Sequence, residues 1–288
     1  MSSTDKTKPP LLLAGVMGWP IGHSRSPRLH GYWLAKHNIA GAYLPLQVAG
    51  EDLAKALAAL PALNFRGCNL TLPHKQAALK LVDRLDPLAK RIGAVNTIVV
   101  RPDGTLEGRN SDAFGFIEAL KEAQPKFRIK SGKAVVIGAG GAARAVVAAL
   151  LDAGCPKVVL VNRSTQRAET LARDLGGAVE LLAWSDRNAA LKDAALLVNT
   201  TSQGMAGQKP LDLDLGALPK SAVVVDAVYV PLLTPLLAAA QARGNPIVDG
   251  LGMLLHQARQ GFAAWFGVEP QVDAALRRHV AGDLMAGK

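Results

Sequence analysis

The strongest constraint on how this chain folds is the stretch from Lys133 to Arg163, KAVVIGAGGAARAVVAALLDAGCPKVVLVNR. Its apolar run, Ala134 to Ile137, has the length and composition of a buried strand. The run ends in a glycine cluster, Gly138, Gly140 and Gly141, where a strand would hand over to a helix. Ala142 to Leu151 is rich in helix formers, and Gly154 with Pro156 stops the helix before a second strand, Val158 to Val161. This is one β-α-β unit of about thirty residues.

The glycines carry a steric meaning. Gly138 permits the tight turn, Gly140 lets backbone approach a pyrophosphate, and Ala143 at the third position of the pattern allows the helix to pack tightly on the sheet. A dinucleotide phosphate would sit on the helix N-terminus, where free N–H groups point at it. The end of the second strand sharpens the reading. A site for NAD expects an Asp or Glu there to accept from the ribose hydroxyls, but this chain has Asn162-Arg163-Ser164, then Arg167, and no acid before Glu169. A carboxylate would repel a ribose phosphate, whereas an Arg fork takes one bidentately. The expected cofactor is NADP, read by Arg163 and Arg167.

Length and charge bound the rest. The 288 residues suffice for two cores of ordinary size. No apolar run reaches the roughly 18 residues of a membrane helix, and the polar start MSSTDKTKPP reads as a disordered lead-in, not a signal peptide. The net charge of +10 is dispersed, without a basic block or aromatic interleaving, so it favours anionic small molecules over nucleic acid. The two cysteines, Cys68 and Cys155, have no metal or disulfide spacing; no metal is expected, and a reducing cytoplasm is the default.

Along the chain, strands are expected at Leu11 to Met17, Ala42 to Leu46 and Phe65 to Leu70. Helices separate them: one opens at Pro27, capped by Ser26, with Leu29, Trp33 and Leu34 facing inward, and another covers Glu51 to Leu60. A helical stretch is expected after Lys75. Asn96 to Val100 and Thr105 to Gly108 flank a hairpin turn at Pro102-Asp103-Gly104. Past the glycine unit, helices and strands alternate to Val248, and Met253 to Phe266 and Val272 to Val280 are helical with no further strand. The fold class is α/β: a doubly wound parallel sheet of Rossmann type for the cofactor, joined across a cleft to a smaller α/β domain with a mostly parallel sheet.

Polar residues stand at strand ends and helix starts: Ser24 and Ser26, Thr71 and Lys75, Asn96, and Asn110 with Asp112. Such positions line the crevice at the carboxyl ends of a parallel sheet. Hydroxyls and amides there suit a small polyhydroxylated substrate, and Lys75 with Asp112 supplies a charged pair.

The segments GWPIGHSRSP, NLTLPHK, AVNTIV, GRNSDAFGF, VVIGAGGAARAV, VNRSTQR, VNTTSQGM, DAVYVPLLTPLL and DGLGMLLHQARQGFAAWFG, spread from residue 18 to 267, resemble the shikimate dehydrogenase family. The resemblance implies reversible reduction of 3-dehydroshikimate by NADPH, on the route to chorismate and the aromatic amino acids. It implies that Ser24 and Ser26 hold the substrate carboxylate, and that Thr71, Asn96 and Gln257 hydrogen-bond the substrate. Tyr229 then stands near the substrate, and Lys75 and Asp112 are catalytic. On the cofactor side it implies Gly138, Ala139, Gly140, Gly141, Ala142, Asn162, Arg163, Ser164, Arg167, Thr200, Ser202, Met205, Ala227, Gly250 and Met253. It also makes the substrate domain discontinuous, residues 1-112 plus the helices of 250-288, around a cofactor domain at 113-249. The chain departs from the family in carrying Ser111 where a threonine is usual, which keeps the hydroxyl and loses a methyl. A quinate-accepting, NAD-using relative is the near alternative; Ser26 and the two arginines favour shikimate and NADP. A non-catalytic NADP-binding regulator would have no need of Lys75 or Asp112. Pairing with a second copy stays open.

Overall fold

The computed structural model describes residues 11–285, so the lead-in expected at residues 1–10 lies outside the described residues. Two α/β domains face each other across a cleft. The first sheet is built from β1 (Leu12–Gly18), β2 (Gly41–Gln47), β3 (Phe65–Leu70), β4 (Arg84–Leu85), β5 (Thr97–Val100) and β6 (Leu106–Arg109), in the order β2-β1-β3-β5-β6-β4. Pairings of β1 with β2 and β3, and of β4 with β6, are parallel, while β5 runs antiparallel to both neighbours. The reversal follows from the hairpin between β5 and β6. Asp103 accepts from the Thr105 N–H and hydroxyl, and Gly104 adopts a φ of 80°.

Helices α1 (Ser26–Lys36), α2 (Leu53–Ala59) and α3 (Pro87–Ile92) connect these strands. Asp86 caps α3 by accepting from Ala89 N at 2.6 Å, with Pro87 in its first turn. Two expectations are corrected. Ser26 does not cap α1: Arg25 is already helical at φ −86°, ψ −7°, and Ser24 Oγ accepts from Ser26 N at 3.3 Å, so Ser26 lies inside the first turn. The stretch after Lys75 forms only a 3-10 turn at Ala77–Lys80. The Lys75 carbonyl accepts from Val95 N at 2.8 Å instead of from the next helical turn, and so short a segment does not repay helix nucleation. The two-residue β4 has too weak a pattern to be read in advance.

After α4 (Asp112–Ala123), the second sheet comprises β7 (Lys133–Ile137), β8 (Val158–Val161), β9 (Val179–Leu182), β10 (Ala194–Asn199), β11 (Val223–Asp226) and β12 (Ile247–Val248). Its order is β12-β11-β10-β7-β8-β9 and every pairing is parallel. Helices α5 (Gly141–Asp152), α6 (Thr165–Leu175) and α7 (Pro235–Ala242) cover its faces. The strand order reverses between β7 and β10, which opens a crevice at their carboxyl ends. Near-continuous burial of β7, β8 and β11 is what a sheet covered on both faces demands.

The last helices, α8 (Gly250–Phe266) and α9 (Ala274–Ala281), return to the first sheet. Leu251, Leu255, Phe262 and Trp265 share a buried cluster with Trp33 of α1 and Tyr43 of β2. The Trp265 indole donates to Ile98 O at 2.9 Å. Helices α4 and α8 touch backbone to backbone at Gly115, where a β-carbon would fall 2.7 Å from Met253 O. Phe116 and Leu120 on α4 enter the cluster under α5, so a continuous core runs between the domains. No helix among the described residues is long and apolar enough to cross a membrane.

Candidate active site

Three chain segments bring one polar cluster together at the cleft. Lys75 lies just past β3, Asn96 precedes β5, and Asp112 opens α4. Lys75 Nζ donates to Asp112 Oδ2 at 2.5 Å, with the two side chains 19% and 8% exposed. The pair is therefore sheltered but reachable from the cleft. Asn96 is the hub that fixes it. Its Nδ2 donates to Asp112 Oδ1 at 2.8 Å and Ser111 Oγ at 3.0 Å, while its Oδ1 accepts from Ser111 N at 2.9 Å and Thr97 Oγ1 at 2.8 Å. Ser111 N–H can only donate, which sets the amide orientation. Asn110 Oδ1 accepts from Asp112 N at 3.0 Å, fixing the turn into α4.

Gln257 on α8 joins this cluster, its Oε1 lying 3.4 Å from Asn96 Nδ2 and 3.3 Å from Ser111 Oγ. The Ser111 hydroxyl thus touches both Asn96 and Gln257. Thr71 follows β3 and covers Gly18 so closely that a β-carbon on that glycine would lie 2.5 Å from Thr71 Cγ2. Ser24 and Ser26 flank Arg25 at the start of α1, and the Tyr229 phenol, on the loop after β11, faces the Arg25 backbone. Burial raises the Tyr229 phenol above its usual range, so it stays a neutral hydroxyl.

Across the cleft, the glycine turn joins β7 to α5. Gly138 has a φ of 112°, and a β-carbon there would meet Thr200 Oγ1 at 2.6 Å. Thr200 itself bonds Ile137 O through both its N–H and its hydroxyl, at 2.9 and 2.7 Å. Gly140 caps α5, and nothing stands within 4 Å of where its β-carbon would be, which leaves open space over the helix N-terminus. A β-carbon on Gly141 would lie 3.5 Å from Lys75 Cδ. The lysine of one domain therefore rests against the glycine turn of the other. Ala139 and Ala142 complete the turn.

Arg163 and Arg167 are exposed at the end of β8 and the first turn of α6, and Asn162 Nδ2 bonds Ser164 O at 2.9 Å to shape that corner. Ser202 and Met205 lie on the loop after β10. Ala227 follows β11 and presses on Gly250, where a β-carbon would collide with the Ala227 carbonyl; Met253 is partly buried one turn on. Open space at a helix N-terminus and two exposed guanidinium groups beyond the adjacent strand fit a phosphorylated dinucleotide. No group of three His, Cys, Asp or Glu among the described residues is placed to hold a metal ion.

Three family models match the chain in order: shikimate dehydrogenase substrate binding domain at residues 16–98, shikimate / quinate 5-dehydrogenase at 121–208, and shikimate 5'-dehydrogenase C-terminal domain at 250–278. The shikimate dehydrogenase (NADP(+)) of Paramagnetospirillum magneticum is 65% identical over 268 residues, 93% of this chain and 97% of its own length. The chain belongs to the shikimate dehydrogenase family. Among solved family structures, shikimate 5-dehydrogenase from Thermus thermophilus, in complex with NADP(H) and shikimate, superposes with a TM-score of 0.84 at 38% identity, covering 95% of this chain and all (100%) of that one. Quinate dehydrogenase from Corynebacterium glutamicum, in complex with NAD, gives 0.87 at 33% identity, covering 93% and 98%.

Four further buried polar residues, none marked as a site residue by a motif, support the site from behind. Thr97 and Asn69 stand behind Asn96, with Asn69 Nδ2 donating to Thr97 Oγ1 at 3.2 Å and Tyr43 Oη donating to Asn69 Oδ1 at 2.6 Å. Asn199 and Asp226 tie the two loops on the cofactor side. Asn199 Nδ2 donates to Asp226 Oδ1 at 3.0 Å, and Thr234 Oγ1 donates to Asp226 Oδ2 at 2.7 Å. Burial raises the Asp226 carboxyl, while these donors pull it back toward the charged form. The only signal for Asn199 and Asp226 was a polar residue closing an apolar strand.

Proposed function

We propose that this chain catalyses the reversible, NADP-dependent reduction of 3-dehydroshikimate to shikimate, on the route to chorismate and the aromatic amino acids. The observation that carries the reading is the Lys75–Asp112 pair, closed at 2.5 Å and resting against the glycine turn. NADPH, when bound, supplies the hydride to the ketone carbon. Hydride addition leaves negative charge growing on the ketone oxygen, and an ammonium group beside it stabilises that charge and delivers the proton. Lys75 takes this role. Asp112 orients the ammonium and a ring hydroxyl, and Asn96 holds Asp112 in place.

Ser24 and Ser26 bind the substrate carboxylate, with Thr71, Gln257 and Tyr229 completing the substrate contacts. The glycine turn from Gly138 to Ala142 receives the pyrophosphate, and Arg163 and Arg167 read the ribose phosphate. Asn162, Ser164, Thr200, Ser202, Met205, Ala227, Gly250 and Met253 line the remaining cofactor path. We assign residues 1-112 and 250-288 to the substrate domain and 113-249 to the cofactor domain. Two free, buried cysteines suit a reducing cytoplasm.

A quinate and NAD reading is favoured by the likeness to quinate dehydrogenase. It is disfavoured by the two arginines and the missing acid after β8. A spectrophotometric assay crossing shikimate and quinate with NADP and NAD decides between them. The expected result is fastest turnover of shikimate with NADP; faster quinate oxidation with NAD would overturn the assignment.

A further inference from the structure

Arg144, in the first turn of α5, faces the end of α3. Its side chain is only 6% exposed. Nε donates to the backbone carbonyl of Ile92, the last residue of α3, and Nη2 donates to Asp174 Oδ2 of α6 at 2.6 Å. The chain then turns at Gly93, with a φ of 69°, where a β-carbon would lie 2.7 Å from Arg144 Nη2. Although α3 lies in the N-terminal part of the chain, Ile92 and Ala94 are buried in one cluster with Val147 and Leu150 of α5 and Leu171 of α6. One buried guanidinium thus holds three things together: the end of α3, the cofactor-side helix α5, and α6.

Immediately after Gly93 the chain enters the polar cluster. Ala94 O accepts from Asn110 Nδ2 at 2.8 Å, Val95 N donates to Lys75 O at 2.8 Å, and the next residue is Asn96, which holds Asp112. Three residues separate the Arg144 contact from the hub of the site. A buried guanidinium carries a desolvation penalty that apolar packing at the same place would avoid, so stability alone is a poor reason for it. Its planar fork holds the Nε and Nη2 donors in one fixed geometry, which a flexible ammonium stem does not preset.

Resting on the proposed dehydrogenase reading, we propose that Arg144 is a positioning residue. It fixes the Lys75–Asp112–Asn96 cluster relative to the glycine turn, so that the proton donor meets the oxygen, and the hydride donor the carbon, of one carbonyl group. Small displacements of such a geometry cost rate more than binding: about 1 Å can mean about a hundredfold.

The test compares the parent enzyme with Arg144→Gln, Arg144→Ala and Gly93→Ala. It reads kcat, KM for shikimate and for NADP+, and the primary isotope effect with shikimate deuterated at the carbon that is oxidised. Urea unfolding of each variant is followed alongside. For Arg144→Gln we expect kcat to fall by tenfold to about a hundredfold, both KM values to stay within about threefold, and the isotope effect to rise as hydride transfer becomes limiting. Millimolar guanidinium should restore part of the kcat of Arg144→Ala. Gly93→Ala wedges a methyl group against the guanidinium without removing a charge, and should lower kcat in the same sense. If Arg144→Gln does not fold, Gly93→Ala at saturating ligands decides. Unchanged kcat and isotope effect in the folded variants, or a loss that tracks unfolding and is not rescued, would overturn the proposal. A parent enzyme inactive on shikimate would instead sink the functional reading itself.

Discussion

His30 makes the acid limb of stability a quantitative test of the fold. It is a completely buried residue of α1, its ring stacked on Tyr43 at 3.9 Å and 7°, with Trp33, Phe262 and Trp265 around it. Neither ring nitrogen has a hydrogen-bond partner among the described residues. Burial pushes the imidazole down to about 3 from its usual 6.5. The folded value is depressed, so the stabilisation is fully present above pH 6.5 and is lost as pH falls toward 3. At pH 5 the unfolded chain is about thirty-to-one protonated at this residue while the folded chain stays neutral, which removes about 2 kcal/mol relative to pH 7.5; by pH 3 the loss is about 4 kcal/mol. Replacing His30 by Phe keeps the ring and abolishes the titration. Urea unfolding at pH 7.5 and 5.0 should show the parent losing about 2 kcal/mol more than His30→Phe across that interval, whatever offset repacking adds. Other acid-sensitive groups cancel in the comparison. Parallel pH dependences for the two proteins, or an NMR titration placing His30 above pH 5, would refute the reasoning.

Two substitutions probe the site directly. Lys75→Ala should lower kcat by about a hundredfold or more while changing KM for shikimate little, because the ammonium acts on charge that develops only in the transition state; steady-state kinetics giving equal rates would remove its catalytic role. Arg163→Glu places a carboxylate where the ribose phosphate is expected, and should raise KM for NADPH by about tenfold or more while leaving KM for NADH nearly unchanged. Unchanged cofactor preference in that assay would show that Arg163 does not read the phosphate.

Much of this was legible because the residues concerned are local. The glycine turn and the Asp103-Gly104 hairpin each follow from a few adjacent residues with one favoured backbone path. Lys75, Asn96 and Asp112 were legible as polar residues at element ends, and a family resemblance gave them roles. Ser26 was misread as a cap because Ser24, two residues earlier, supplies the bond instead. The helix expected after Lys75 failed for a non-local reason, the Val95 N–H that takes the Lys75 carbonyl. Local pattern carries no record of a partner twenty residues away.

The sequence by itself determined the parallel cofactor sheet, the two arginines in place of an acid beyond its second strand and the polar residues at strand ends. Steric limits on glycine, alternation of buried strands with helices, and the sign of charge at one strand end all act within short stretches of chain. Only the tertiary structure decided that Lys75 closes on Asp112, that Gln257 reaches the site from a helix far along the chain, and that Arg144 reaches across to the end of α3. These depend on packing between segments distant in sequence, where burial of shared apolar surface sets the distances and the polar groups caught inside must find partners at whatever positions remain.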